Sequence, residues 1–185
     1  VKPTIRVTVA DDPVRAILDT AATDFDFMIV GAHEPSESDE TLFSPVVDAL
    51  VRMSPCPTLI VTGMAVDPAN WPPSRILIPT DGAPASRRAA QMAFSMAGKA
   101  EISLLHVVPR LEYARPGAPQ ALVAQMGQAE EILEDTLSLA AAYGLSATKH
   151  VVTSSSVAEA ILNHAGHMDA SLIVLGTSLR PGSSR

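Results

Sequence analysis

Apolar residues along this chain come in two rhythms. Short continuous runs at Thr58-Leu59-Ile60-Val61, Arg75-Ile76-Leu77-Ile78-Pro79 and Ile102 to Val108 predict strands covered on both faces. Between the runs, apolar positions recur at helical spacing. Leu42, Phe43, Val46, Val47, Leu50 and Val51 predict a helix from Leu42 to Met53, stopped by Pro55-Cys56-Pro57. A second helix is predicted from Pro84 to Ala97, with its proline in the first turn. A third runs from Gln120 to Tyr143 and ends at Gly144, where a left-handed residue costs least. Met64 to Ser74 holds Pro68, Pro72 and Pro73 and reads as a linker. Strands alternating with helices predict an α/β protein with a parallel sheet.

An internal repeat reorganises this picture. Val7-Thr8-Val9 leads through Asp11-Asp12 into Ala16-Ile17-Leu18, then to Asp24 and Phe27-Met28-Ile29-Val30-Gly31. Val151-Val152-Thr153 leads through Ser155-Ser156 into Ala160-Ile161-Leu162, then to Asp169 and Leu172-Ile173-Val174-Leu175-Gly176. The offset is 144 residues from Ala16 to Ala160 and 145 from Gly31 to Gly176, so one residue is inserted between. Each copy predicts a strand, a capped short helix and a buried strand ending in glycine. A period of this length is a domain length, not a solenoid repeat. The expected organisation is residues 1–62 as the C-terminal part of one unit, 63–74 as linker, and 75–185 as most of a second. With Val1 in place of a methionine, the chain is expected to be a segment of a longer one.

Composition narrows the classes. The chain is 47% hydrophobic and 18% charged, which excludes a disordered protein. Aromatic residues reach only 4%, so aliphatic side chains, alanine and seven methionines must build the core. No apolar run approaches the ~20 residues of a membrane-spanning helix. The single cysteine, Cys56, excludes a disulfide framework and fits a reducing compartment. Residues 1–70 carry 11 acids and 4 bases, against 9 of each in the remainder, so the net charge of −7 belongs to the first part. No basic stripe is present to neutralise phosphates, and nucleic acid is not an expected partner.

Specific residues then point to a family. Arg75-Ile76-Leu77-Ile78-Pro79-Thr80-Asp81-Gly82, followed by Ser86-Arg87-Arg88-Ala89, resembles the start of a universal stress protein domain. Leu105-His106-Val107-Val108, Ser156-Val157-Ala158-Glu159-Ala160-Ile161 and Asp169 through Gly176 extend the resemblance. Phe27 to Gly31 and Ser54 to Val61 look like the end of the same unit. The resemblance implies an open parallel five-stranded sheet with helices on both faces, Rossmann-like and adenine nucleotide alpha hydrolase-like, present as parts of two tandem units. It also implies a regulatory or stress-response role in which ATP, with Mg, binds at the carboxyl ends of the strands.

In ATP-binding members of that family the phosphate motif is glycine, two residues, glycine, nine residues, then glycine and Ser or Thr. Backbone N–H groups must approach the phosphates, and side chains would obstruct them. The first copy has Gly31, but Glu34 holds the second glycine position and would repel phosphate. Ser44-Pro45 stands where Gly-Ser is expected, and Pro45 has no N–H to donate. The second copy has Gly176 with Leu179 at the second position, and the third position lies past Arg185. Gly182-Ser183 offers backbone donors and Arg180 a counter-charge. By the resemblance, Asp81 lies beside the adenosine and Val107 lines the adenine. The expected nucleotide site is Pro79, Thr80, Asp81, Val107, Gly176, Thr177, Gly182 and Ser183.

Simpler readings stand beside these. Asp81 serves equally well as the cap of the turn before a helix, and Gly176 as a tight turn after a strand. Cys56 reads as a small buried residue, and Ser154 to Ser156 as a helix cap. His164 and His167 read as a solvated helix end, because no further ligand completes a metal set. Glu130, Glu131, Glu134 and Asp135 read as a solvated helix face. There is no Walker A loop, no dinucleotide glycine motif and no nucleophile elbow, so the chain is expected to be non-catalytic. Leu42 to Asp48 and Gly176 to Gly182 look similar to units fused to the cytoplasmic end of cation/proton antiporters. That similarity implies a cytoplasmic module tethered to the inner membrane through a parent transporter, with self-association or pairing of tandem units. The rival class is a nucleotide-free protein-interaction or dimerisation module.

Overall fold

The computed structural model describes residues 3–23, 25–32, 43–62, 72–110 and 118–176. They fall into two compact units, one ending at Thr62 and one running from Pro72 to Gly176. The predicted linker lies largely outside the described residues.

The first unit holds α1 (Pro13–Ala21), β1 (Met28–Ala32), α2 (Pro45–Met53) and β2 (Thr58–Thr62). Its helices begin where side chains can satisfy free N–H groups. Asp12 accepts from Arg15 N at 3.0 Å and Ser44 from Val47 N at 3.3 Å, each with proline next in sequence. The two strands pair in parallel from Met28 opposite Thr58 to Ala32 opposite Thr62. Ala21, Val47 and Leu50 are the buried apolar residues described in this unit.

Two expectations fail in the first unit. Burial along β1 alternates, with Ile29 61% exposed, so this strand is covered on one face rather than two. Among the described residues, nothing lies over its second face. The expected strand at Val7-Thr8-Val9 is absent, because residues 3–10 have no regular structure. A strand is completed by its neighbour, and among the described residues of this unit no strand pairs with residues 3–10. The matching stretch of the second copy does have such a neighbour.

The second unit contains β3 (Arg75–Pro79), α3 (Pro84–Met96), β4 (Glu101–Pro109), α4 (Ala118–Ala142), β5 (Ala147–Ser154), α5 (Val157–His167) and β6 (Leu172–Ile173). Its four-stranded sheet has the order β5-β4-β3-β6, every pair parallel. β3 is sealed on both faces. Ile76 and Ile78 enter one cluster with Ala90, Ala93, Phe94 and Leu133 of α3 and α4, while Leu77 enters the other with Leu105 and Ala165 of α5. Alanines at the α3 contact let the helix lie close to the sheet, which explains how so few aromatic residues suffice. Gly144 ends α4 with φ +72° in the left-handed region. Ser156 caps α5, accepting from Glu159 N at 3.3 Å. Glu130, Glu131, Glu134 and Asp135 are exposed, and Lys149 on β5 reaches Glu130 at 2.6 Å and Glu134 at 2.5 Å.

Candidate functional site

The carboxyl end of β3 turns sharply into α3. Gly82 makes the turn with φ +78°, and a Cβ there would press on the Ile132 side chain of α4. The cap position of α3, Ala83, has no side chain able to hold the free N–H groups. Asp81 takes over that task from two residues earlier. Its Oδ1 accepts from Ala83 N at 2.9 Å and from Ser86 Oγ at 2.6 Å. The Ser86 hydroxyl also lies 2.9 Å from the Ala83 carbonyl, but the shorter bond to a charged oxygen is the stronger one. Thr80, only 6% exposed, hangs between the strands: its N–H donates to Leu105 O at 2.9 Å, and its Oγ1 donates to Ser86 Oγ at 3.4 Å.

This arrangement holds the Asp81 carboxyl below its ordinary pKa. The Ser86 hydrogen bond is the main cause, partial burial opposes it, and the Ala83 and Asp81 N–H groups and the nearby His106 ring add to the lowering. Asp81 is therefore an anion at neutral pH with one oxygen engaged. The sequence offered a cap or a ligand for this residue, and the cap is present.

The turn expected after Gly176 involves residues outside the described ones. The φ of Gly176 lies outside the left-handed region, and a close approach is the need for glycine seen here. A Cβ at this position would overlap the Ala85 carbonyl and the Ser86 Cα, so the chain leaving β6 is seated directly on the first turn of α3. Pro79, Thr80, Asp81 and Gly176 are thus brought together around that turn. Val107 sits at the same end of β4, but its side chain is partly buried against Leu77, Leu105 and Ala165. Thr177, Gly182 and Ser183 lie outside the described residues, as do Glu34, Leu179 and Arg180.

Two features of the site were not foreseen. Ser86 is 2% exposed and locks the Asp81 turn; a serine three positions after the helix cap is the signal that could have marked it. His106 on β4 carries a buried Nδ1 with no hydrogen-bond partner among the described residues, as does the Oε1 of Gln125 on α4. Elsewhere, the reading of His164 as solvated is corrected. It is half-buried, with Nε2 3.5 Å from Ser103 Oγ. His167 is exposed, and its Nδ1 lies 2.6 Å from Asn163 O. Cys56 is partly rather than fully buried, its Sγ 3.8 Å from Ser54 Oγ. Among the described residues no group of His, Cys, Asp and Glu is arranged to hold a metal ion, and no helix is long and apolar enough to cross a membrane.

A cavity of about 530 Å³ lies in the first unit, lined by Arg6, Thr8, Ile17, Ala21, Phe25 and Met28 among others. It contains none of the expected nucleotide residues. Binding specificity comes from placed polar groups rather than from empty space, and the expected ones lie in the second unit.

Comparison with known proteins bears on the same architecture. Comparison with curated proteins gives no match. Among solved structures, one from the universal stress protein family of Burkholderia pseudomallei is 25% identical, with a TM-score of 0.52 over 56% of this chain and 81% of that one. A universal stress protein of Archaeoglobus fulgidus aligns over 88% of this chain at 21% identity and a TM-score of 0.63; this chain covers 54% of its length. A third, from Lactobacillus plantarum, is 22% identical with a TM-score of 0.52, covering 60% of this chain and 82% of that one. The profile described as the universal stress protein family matches residues 1–62 and 73–185. With parallel strands, crossover helices and nearly every residue matched, this chain belongs to the universal stress protein family.

Proposed function

We propose that the second unit is a non-catalytic regulatory or stress-response module that binds an adenine nucleotide at the carboxyl ends of β3, β4 and β6. The seat of Gly176 on α3 carries this reading, because it lays the chain leaving β6 against the turn that holds Thr80 and Asp81. Open parallel sheets take their ligands in this crevice. The residues fit the ligand unequally. Asp81 is an anion whose Oδ2 accepts no hydrogen bond among the described residues, so it suits a ribose hydroxyl and repels phosphate. Phosphates are then assigned to Gly176 and to Thr177, Gly182 and Ser183, which follow it in sequence, because a glycine leaves its N–H open to an anion. Mg would neutralise charge on the phosphates when bound. Asp81 would orient the sugar.

Titration calorimetry of ATP and ADP into the purified chain tests this. Binding should weaken by roughly tenfold or more in Asp81→Ala, since a hydrogen bond to a charged group is worth about 1.5–3 kcal/mol. No heat and no thermal protection at saturating ATP would overturn the reading. ATP hydrolysis abolished by Asp81→Ala would overturn its non-catalytic part.

The first unit supports a different role. Ile5, Val7 and Val9 are 88–99% exposed, and Ser44 is committed to capping α2. We infer a nucleotide-free interaction or dimerisation unit. The similarity of Leu42 to Asp48 and Gly176 to Gly182 to antiporter-fused units supports a parent cation/proton antiporter with this module on its cytoplasmic side. A parent reading frame with several apolar segments of ~20 residues upstream of Val1 would bear this out; one with none would refute it.

A further inference from the structure

The sheet face opposite α3 and α4 carries three histidines that the nucleotide reading does not use. His150 on β5 and His164 on α5 pack ring to ring, centroids 4.6 Å apart and planes at 56°. The Nε2 of His164 also meets Ser103 Oγ of β4 at 3.5 Å, so one half-buried imidazole touches both strands beneath its helix. His167 follows one turn along α5. The apolar residues α5 brings are small: Ala160 and Ala165 are its buried ones, and Ala165 packs on Leu77 and Leu105 beside the partly buried Ile161 and Met168.

Among the described residues, no counter-charge contacts this group. From β5 the titratable neighbour is His150, from β4 the contact is the neutral Ser103, and from β3 it is Leu77. On α5 itself the charged residues are His167 and, in the first turn, Glu159. Asp169, just past the helix, is engaged by Arg75 at 3.7 Å. Among the described residues, no histidine is paired with a carboxylate.

We propose that His164, with its ring against His150 and its Nε2 at Ser103, forms an acid-sensitive latch, which holds α5 on β4 and β5 while His164 is neutral and releases it when His164 is protonated. The electrostatics agree in sign. His164 is held below the ordinary histidine pKa of 6.5, first by burial and then by the charges of His150 and His167. The C-terminal end of α5 favours a cation, but burial and two like charges outweigh it. A histidine that binds its proton more weakly when folded contributes stability above the ordinary histidine range. That contribution is lost as pH falls through this range toward the lower folded value.

Release of α5 reaches the strand end. β6 has only two residues, paired as Ile76 with Leu172 and Leu77 with Ile173, and it is flanked by bonds from Ser171 N to Arg75 O and from Val174 N to Leu77 O, both 2.9 Å. α5 covers Leu77 and Ile173 on one face of the sheet, so loosening it strips that cover from the strand end that leads to Gly176. Acid would thereby weaken nucleotide binding, a consequence that rests on the reading above; the latch itself does not.

The test combines histidine Cε1 proton NMR with hydrogen exchange of the whole chain at about pH 7.5 and 5. His164 should titrate below an ordinary histidine. After correction for intrinsic rates, α5 and β6 amides should lose protection by about tenfold more than those of α4. His150→Gln should move the His164 titration upward, and His164→Phe, which keeps a ring but no charge, should abolish the acid-specific loss. If His164→Phe does not fold, His150→Gln alone decides. A His164 that titrates at or above the ordinary value, or α5 protection that falls in step with α4, overturns the latch. A chain that shows these changes yet binds no ATP at neutral pH supports the latch and refutes the nucleotide reading.

Discussion

Replacing Gly176 by alanine adds a single methyl group where the backbone leaves no room. The new Cβ would overlap main-chain atoms of Ala85 and Ser86, which no rotamer change can relieve. One partner must move by about 1 Å to restore van der Waals contact. The first turn of α3 is fixed by Asp81 and Ser86, while among the described residues Val174 N to Leu77 O is the last backbone bond before Gly176, so the strand end yields. Overpacking of this kind costs about 1–3 kcal/mol, which for a unit near 100 residues lowers Tm by roughly 5–20 °C. Gly176→Ala should therefore melt earlier by circular dichroism and bind ATP at least roughly tenfold more weakly by calorimetry. Two controls isolate the cause. Gly144→Ala meets open space but sits at φ +72°, so it should destabilise by about 1 kcal/mol and leave binding unchanged. Gly127→Ala, exposed inside α4 with open space around it, should stabilise by about 1 kcal/mol. A Gly176→Ala protein with unchanged melting and unchanged binding would refute the close seating of β6 on α3.

Other expectations follow from the same contacts. The lowered Asp81 pKa contributes stability above the ordinary carboxylate range, lost as pH falls through the folded value, so the Tm gap between the parent chain and Asp81→Asn should shrink from pH 6 toward pH 3. A gap that is constant across this range would show that the carboxylate is not stabilised by its turn. Leu77→Ala empties a fully buried position between β4 and α5 and should cost about 3–5 kcal/mol by denaturant titration; a cost under about 1 kcal/mol would mean the sheet is not sealed there. Ser156→Ala removes the α5 cap and should cost about 1 kcal/mol, with the loss of amide protection concentrated in the first turn of that helix.

What the sequence made legible was local. Pro84, Gly144 and the Ser155-Ser156 pair mark helix ends through their own backbone preferences, and α3, α4 and α5 start or stop within a residue or two of those marks. The continuous apolar run of β3 correctly announced a strand with two covered faces. Val7-Thr8-Val9 has the same strand chemistry as its counterpart in β5, yet strand formation depends on a distant neighbour that composition cannot report. The run in β1 failed for a related reason: apolar residues say which faces seek cover, not whether cover exists. At the site, Asp81 was identified, but the choice between cap and ligand needed the Ser86 and Ala83 distances. Gly176 was expected at a turn or a phosphate, and its seat against Ala85 and Ser86 is a further need for glycine that spacing could not show. The pairing of His150 with His164 joins a strand to a helix across the sheet face, and spacing along one helix could not reveal it.

The unpaired apolar segment at residues 3–10 also bears on the behaviour of the protein at high concentration. A bare backbone flanked by exposed Ile5, Val7 and Val9 is a template for intermolecular strand pairing. The same part of the chain carries the acidic excess, and mutual repulsion between copies opposes that pairing. Repulsion of this kind fades once the screening length shrinks toward 10 Å at about 0.1 M salt. Colloidal stability is thus set by ionic strength acting on the first unit, while thermal stability is set by the sealed sheet of the second.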